Sequence, residues 1–159
     1  MKSYWRSSIV LAAVLLVGAA PPPAVSTGGM VAADHQLGSK AGAEILNKGG
    51  NAVDAAVATA LAVGVVQPAG SGLGGGGFAV VVTADGDSHV LDFRETAPEA
   101  ATRDMYVNAE NPEASRLGGL AIGVPGEAAG LAVLHERWGS LPMREVAAPA
   151  VRLARDGFL

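Results

Sequence analysis

The segment Asp92-Phe93-Arg94-Glu95-Thr96-Ala97-Pro98 has the residue types of a small-molecule binding site. An arginine leaving the end of a strand presents a planar fork that can grip a carboxylate through two parallel charge-assisted bonds. Three acids stand close to it in the chain, Asp92, Glu95 and Glu99, and a local ion pair with one of them accounts for the arginine equally well. The residues alone leave both readings open. Beside a ligand-binding Arg94, Glu95 has two roles available: it orients the guanidinium, or it lines the pocket itself.

Other candidates carry less. Gly72-Leu73-Gly74-Gly75-Gly76-Gly77 matches G-x-G-x-x-G. In a dinucleotide site that pattern follows a strand and opens a helix. Here it follows a helical stretch and opens a β-branched one, so no helix N-terminus is placed to hold a pyrophosphate. A backbone-dense loop beside a cleft, or plain packing, fits better, and no cofactor is assigned. His35, His89 and His135 are far apart in the chain and lack metal-ligand spacing, so no metal site is assigned. His135, beside Glu136 and Arg137, is expected on a solvated helix face. Ser71 lies in Gly-Ser-Gly rather than in a G-x-S-x-G elbow. Thr27 would become N-terminal after a cut behind Ser26, and an N-terminal Thr can serve as its own nucleophile and base. Gly28-Gly29 is a poor start for the rigid strand such a nucleophile needs, and no catalytic residue is assigned in this chain.

The elements that must position Arg94 follow from periodicity and punctuation. Leu37, Ala41 and Ile45 recur at helical spacing, so a helix is predicted near Leu37–Lys48, ended by Gly49-Gly50. Asn51 caps a second helix, Ala52 to about Val66, with Asp54 at the capping-box position. Only Asp54 and Thr59 in it are polar, and a helix apolar all round is a buried one. Strands are predicted over Phe78–Thr83 and Ser88–Phe93, joined by an Asp85-Gly86 turn into a hairpin. Residues 94–119 read as irregular, and Leu120–Val124 as a short strand. A helix over Gly126–Trp138 ends at Gly139. Leu141–Asp156 is helical again, interrupted or restarted at Pro149. The order suits a layered α/β or α+β domain. Two strands alone are marginal, so the sheet is expected to be part of a larger one.

Composition narrows the classes. Half of the 159 residues are apolar but only 4% are aromatic, so the core is built from Ala, Val and Leu. The net charge of −4, with eleven scattered basic residues, argues against a nucleic-acid partner. The absence of cysteine excludes disulfides, thiolate metal sites and a Cys nucleophile. Lys2 and Arg6, the apolar run Ile9–Val17, then Gly18-Ala19-Ala20 and Pro21-Pro22-Pro23 read in order as a secretory signal peptide. The run is shorter than the ~20 residues of a membrane span. Residues 1–26 are accordingly set apart as signal peptide and linker, and residues 27–159 as the folded part.

Several segments in register resemble the γ-glutamyltransferase (γ-glutamyltranspeptidase) family. They are Gly29-Met30-Val31-Ala32, Ala41-Gly42 with Ile45-Leu46, Gly49-Gly50-Asn51-Ala52-Val53-Asp54-Ala55-Ala56, and Ser71 through Phe78. Asp92 through Pro98, Gly118 through Gly126 and Leu141 through Ala154 complete the series. The resemblance implies an α+β N-terminal-nucleophile hydrolase fold, an αββα sandwich with only its N-terminal portion in this chain. It implies a precursor cut autocatalytically into large and small subunits. The new N-terminal Thr of the small subunit takes the γ-glutamyl group from glutathione or a related amide and passes it to water or an amino acid. It further implies that Arg94 holds the α-carboxylate of the γ-glutamyl group.

The small subunit, which would carry the nucleophile, has no match here. The chain is therefore expected to be the first part of a large subunit, from a fragment or a truncated gene, and inert by itself. Its expected partners are a γ-glutamyl small molecule and the small subunit of the same precursor, in the periplasm or outside the cell. An acylase for β-lactam side chains or a polyglutamate depolymerase shares the expected fold, and a non-catalytic exported binding domain is the reading from another class. Mass spectrometry of exported protein is expected to find a mature N-terminus between Ala20 and Thr27. An intact Met1 on soluble exported material would contradict the signal peptide.

Overall fold

The computed structural model describes residues 23–159. The predicted signal peptide falls almost wholly outside these residues. Among them no helix is long and apolar enough to cross a membrane.

Helix α1, Gln36–Asn47, begins at His35, whose Nδ1 accepts the Leu37 amide at 3.2 Å, so this histidine is a helix cap. Gly49, at φ +89°, turns the chain out of the helix, and the Gly50 amide closes back on the Ile45 carbonyl at 3.0 Å. Helix α2, Ala52–Val66, starts with the full capping box between Asn51 and Asp54. Small residues let α1 and α2 approach closely: a Cβ on Gly42 would overlap the Thr59 hydroxyl and lie 2.9 Å from the Ala55 carbonyl. The hydroxyl of buried Thr59 is satisfied within its own helix, donating to Ala55 O at 2.7 Å.

Strands β1, Phe78–Val82, and β2, Ser88–Asp92, form the predicted antiparallel hairpin, with Phe78 opposite Asp92 and Val82 opposite Ser88. Gly77 and Phe93 extend the ladder by exchanging bonds of 3.4 and 3.0 Å. Ala79, Val81 and Leu91 face the helices. Phe78, Val80, Val82 and Val90 alternate to the other face and are 60% to 71% exposed. Helix α3, Glu127–Trp138, and helix α4, Met143–Asp156, complete the helix layer on the covered side of the hairpin. The core joins Ile45, Val53, Val57, Leu131, Leu134 and Val146.

Two predicted elements differ. Leu120–Val124 is not a strand: Gly119–Ala121 is a 3₁₀ turn, and only Val124 pairs, as a single bridge to Thr96. Gly118, Gly119 and Gly123 contribute no side chains and weaken a strand here, and Pro125 lacks the amide that would continue a ladder. Helix α4 runs unbroken through Pro149. Packing of Val146 and Ala150 into the core holds the helix across the one hydrogen bond that proline removes.

The predicted surface position of His135 is also corrected. Its side chain is only 16% exposed, and Nε2 donates to the Leu141 carbonyl at 2.7 Å. It packs beside Asp54, a fully buried carboxylate at the start of α2, 3.7 Å from its Nε2. Asp54 accepts from the Asn51 amide at 2.9 Å, the Ser140 hydroxyl at 2.5 Å and the Ser140 amide at 3.1 Å. Leu141 N adds a longer bond of 3.3 Å. Asn51 Nδ2 also donates to the Trp138 carbonyl at 2.6 Å. The α3–α4 turn is thus tied to the start of α2 by one acidic side chain and its cap.

Burial pushes the Asp54 carboxyl upward, but the Ser140 hydroxyl and the amides of Asn51, Ser140 and Leu141 outweigh it and hold the group below its ordinary value. A depressed folded-state pKa contributes stability above the unfolded value, near ~3.9, and loses it as pH falls through the folded value. Asp54→Asn should therefore cost about 2–3 kcal/mol at neutral pH, the scale of bonds to a charged acceptor. The difference from wild type should shrink once the pH drops below about 4. Urea unfolding of the intact protein across that range checks both statements. A difference independent of pH would mean that the charge on Asp54 contributes nothing.

Candidate functional site

Arg94 owes its position to an unusually close passage of backbone. The chain at Phe93–Glu95 runs between the glycine-rich loop and the start of α3. A Cβ on Gly76 would overlap the Phe93 carbonyl and lie 2.9 Å from the Glu95 amide, and one on Gly126 would overlap the Phe93 carbonyl from the other side. A Cβ on Gly130, one turn into α3, would overlap the Phe93 ring. Gly126 has no side chain to cap α3. The Gly75 carbonyl takes over that work, accepting the amides of both Gly126 and Glu127 at 2.9 Å. The Thr96–Val124 bridge, with bonds of 3.2 and 2.8 Å, pins the segment just beyond Glu95.

With the backbone fixed, the side chains diverge. Asp92 Oδ1 accepts the Arg94 amide at 3.0 Å, shaping the exit from β2. Arg94 Nε donates to Glu95 Oε2 at 3.2 Å. Its guanidinium carbon stands 5.9 Å from the centroid of the Phe78 ring. The Arg94 side chain is 62% exposed. Among the described residues neither Nη nitrogen has an acceptor. The ion pair and the free fork are therefore not exclusive: Glu95 uses Nε, and the end-on edge of the guanidinium stays open. Bonding to its own amide and to Arg94 holds the Glu95 carboxyl below the ordinary glutamate range.

Glu95 also lines a cleft of about 540 Å³ with Ser71, the Gly72–Gly76 loop and Glu127. Burial, and then the negative charge of Glu95, push the Glu127 carboxyl up. The cleft thus opposes an anionic Glu95 to a glutamate that is more easily protonated. A larger, mainly apolar cavity of about 800 Å³ lies between the hairpin and the helices, with Ala60, Val81 and Leu131 in its wall, and reaches neither Arg94 nor Glu95.

The remaining candidates stay apart. His89 packs its ring on Trp138 at 5.2 Å between centroids, while His35 and His135 serve as cap and turn anchor. Among the described residues no three potential ligands gather to hold a metal. Thr27 is exposed, in a bend rather than at the head of a strand. The glycine loop leads directly into β1, and its contribution is close backbone packing around Gly75 and Gly76. Sequence reasoning missed Glu127 and the threading role of Gly126 and Gly130. The signal present was Pro125-Gly126 immediately before an acid in the first turn of a helix.

The passage gives a sharp contrast between glycines. Gly126→Ala should displace Phe93–Glu95 and lower ligand-dependent activity of the intact protein at least ~10-fold or abolish soluble expression, since overpacking costs about 1–3 kcal/mol or more. Gly74→Ala meets nothing within 4 Å and should stay within about 0.5 kcal/mol of wild type. Thermal melts and activity of the two variants side by side check this; equal behaviour would contradict it.

Known proteins resemble this chain in sequence and in fold. Glutathione hydrolase 3 of Arabidopsis thaliana is 51% identical over 135 residues, covering 84% of this chain and 21% of that protein. The glutathione hydrolase proenzyme of Escherichia coli (strain K12) is 43% identical over 134 residues, covering 82% of this chain and 23% of that protein. The chain thus spans 21% to 23% of the length of these curated relatives. Among solved structures, the γ-glutamyltranspeptidase of Helicobacter pylori superposes with a TM-score of 0.82 at 41% identity, over 86% of this chain and 40% of that one. The cephalosporin acylase from Bacillus halodurans does so with a TM-score of 0.73 at 34% identity, over 89% of this chain and 27% of that one. The fold is the α+β N-terminal-nucleophile hydrolase sandwich of these neighbours, represented here by one helix layer and a hairpin. The family described as gamma-glutamyltranspeptidase matches residues 38–159, and the chain belongs to that family.

Proposed function

We propose that residues 27–159 are part of the large subunit of an exported γ-glutamyl acyltransferase and hydrolase, with Arg94 as the anchor for the substrate α-carboxylate. The observation that carries this reading is the open end-on edge of Arg94, with Glu95 engaged at Nε only. A γ-glutamyl donor carries an α-carboxylate at one end and the scissile γ-amide at the other. Two parallel bonds from Nη1 and Nη2 fix the first and so orient the second. Glu95 orients the guanidinium and lines the adjoining cleft.

The nucleophile in this reading is the N-terminal Thr of the small subunit, released from the same precursor. Its hydroxyl adds to the γ-carbonyl, the amine leaves with a proton, and the resulting γ-glutamyl ester passes to water or to an amino acid. The name "proenzyme" on the E. coli relative supports a processed precursor, and the names of the relatives support glutathione or a related amide as donor. Export to the periplasm or the medium rests on the residues of the N-terminal segment. The likeness to the cephalosporin acylase supports a common fold. The free arginine fork favours a donor that carries a carboxylate at the end away from the scissile amide, as a γ-glutamyl group does.

The test is kinetic, on the full-length precursor carrying this segment. Arg94→Ala should lower kcat/KM for a chromogenic γ-glutamyl amide about 10- to 100-fold, from the loss of roughly 1.5–3 kcal/mol of charge-assisted bonding. Arg94→Lys should restore little, because an ammonium cannot reproduce two parallel bonds. A matched amide without the α-carboxylate should lose little in either variant, and precursor cleavage should proceed. Equal losses on both donors with cleavage intact would make Arg94 structural.

A further inference from the structure

We infer that Phe78 is a positioning residue for the same site, holding the plane of the Arg94 fork so that its end-on edge faces the α-carboxylate of an amino-acid donor. The inference rests on the substrate-anchor reading of Arg94 and adds a second residue to it. Glu95 restrains the guanidinium at Nε alone, and a single hydrogen bond leaves the group free to swing about the bonds of its stem. A second restraint comes from the Phe78 ring, 5.9 Å below the guanidinium carbon. This lies within the ~6 Å over which an aromatic face attracts a cation.

The sheet sets that ring in place. Phe78 pairs directly with Asp92 in the ladder, and two residues further on Arg94 falls on the same side of the chain. Gly77 and Phe93 exchange hydrogen bonds immediately beside this pair. The Asp92 carboxylate holds the Arg94 amide. The stretches of backbone that carry the two side chains therefore stay adjacent while the hairpin is intact. The helix layer does not cover Phe78. Phe78 is 60% exposed and lies on the face away from Ala79, Val81 and Leu91.

The experiment uses the full-length precursor, with Phe78→Leu, Phe78→Tyr and Phe78→Trp beside Arg94→Ala. Each is assayed on a γ-glutamyl anilide and on the matching 4-aminobutyryl anilide, which lacks the α-carboxylate. Phe78→Leu should raise KM for the γ-glutamyl donor about 2- to 5-fold, the size of an exposed cation–π contact. The effect should fall on KM rather than kcat and spare the donor without the carboxylate. Tyr and Trp, which keep an aromatic face, should return KM to the wild-type value or below. An unchanged KM in Phe78→Leu, equal effects on both donors, or a Trp variant as impaired as Leu would overturn the inference. Should Phe78→Leu fail to mature, the Tyr and Trp variants decide: wild-type KM supports the inference, and a raised KM in both overturns it. Arg94→Ala separates the two levels of the argument. If it discriminates between the donors while Phe78→Leu does not, only the role of Phe78 falls. If Arg94→Ala also fails to discriminate, the anchor reading falls with it.

Discussion

The backbone of Phe93–Glu95 lies closer to its neighbours than any side chain would permit, and the candidate site is built on that passage. Gly76 on one flank and Gly126 on the other let the main chain pass between a loop and a helix start. The same passage brings the Gly75 carbonyl to the two amides that open α3. Arg94 and Glu95 then leave a segment whose position is fixed by backbone contact, before any side chain contributes. A site that must orient a planar guanidinium gains from such support, because an error of an ångström in the backbone becomes an error in the fork.

Helix α3 transmits that order. Its first turn is held by the glycine loop. At its C-terminal end the Trp138 carbonyl accepts from Asn51, and just beyond it Ser140 bonds to the buried Asp54 carboxylate. A buried carboxylate is costly unless its lone pairs are satisfied. Asp54 meets that condition with amides from two separate stretches of chain and one hydroxyl. The consequence is geometric: the start of α2 and the two ends of α3 share one frame, and Phe93 packs against the middle of it at Gly130.

Much of this frame was legible in the chain. The start of α2 follows from Asn51 and Asp54, the hairpin from Asp85-Gly86 between two strand-forming runs, and the end of α3 from Gly139. These are local signals, decided within a few residues. What was not legible depends on distant partners. His135 reads as a surface residue because its neighbours Glu136 and Arg137 are polar; its burial comes from Asp54, far back in the chain. Leu120–Val124 reads as a strand by residue type, but with glycines on either side only Val124 finds a partner. Pro149 reads as a break, and core contacts of Val146 and Ala150 override it. At the site, Arg94 and Glu95 were visible as residue types, whereas their compatibility was not. Only the geometry separates the Nε used by Glu95 from the edge left open. Glu127 escaped notice because it meets Glu95 only across the glycine loop.

In the proposed function the open edge of Arg94 holds an α-carboxylate while Glu95 keeps Nε. The most direct measurement is a crystal structure of the mature full-length enzyme with L-glutamate bound. Both α-carboxylate oxygens should lie within about 2.7–2.9 Å of Nη1 and Nη2, with the Arg94–Glu95 bond at Nε retained. A glutamate bound with its α-carboxylate away from Arg94, and the guanidinium turned to pair only with protein acids, would contradict it.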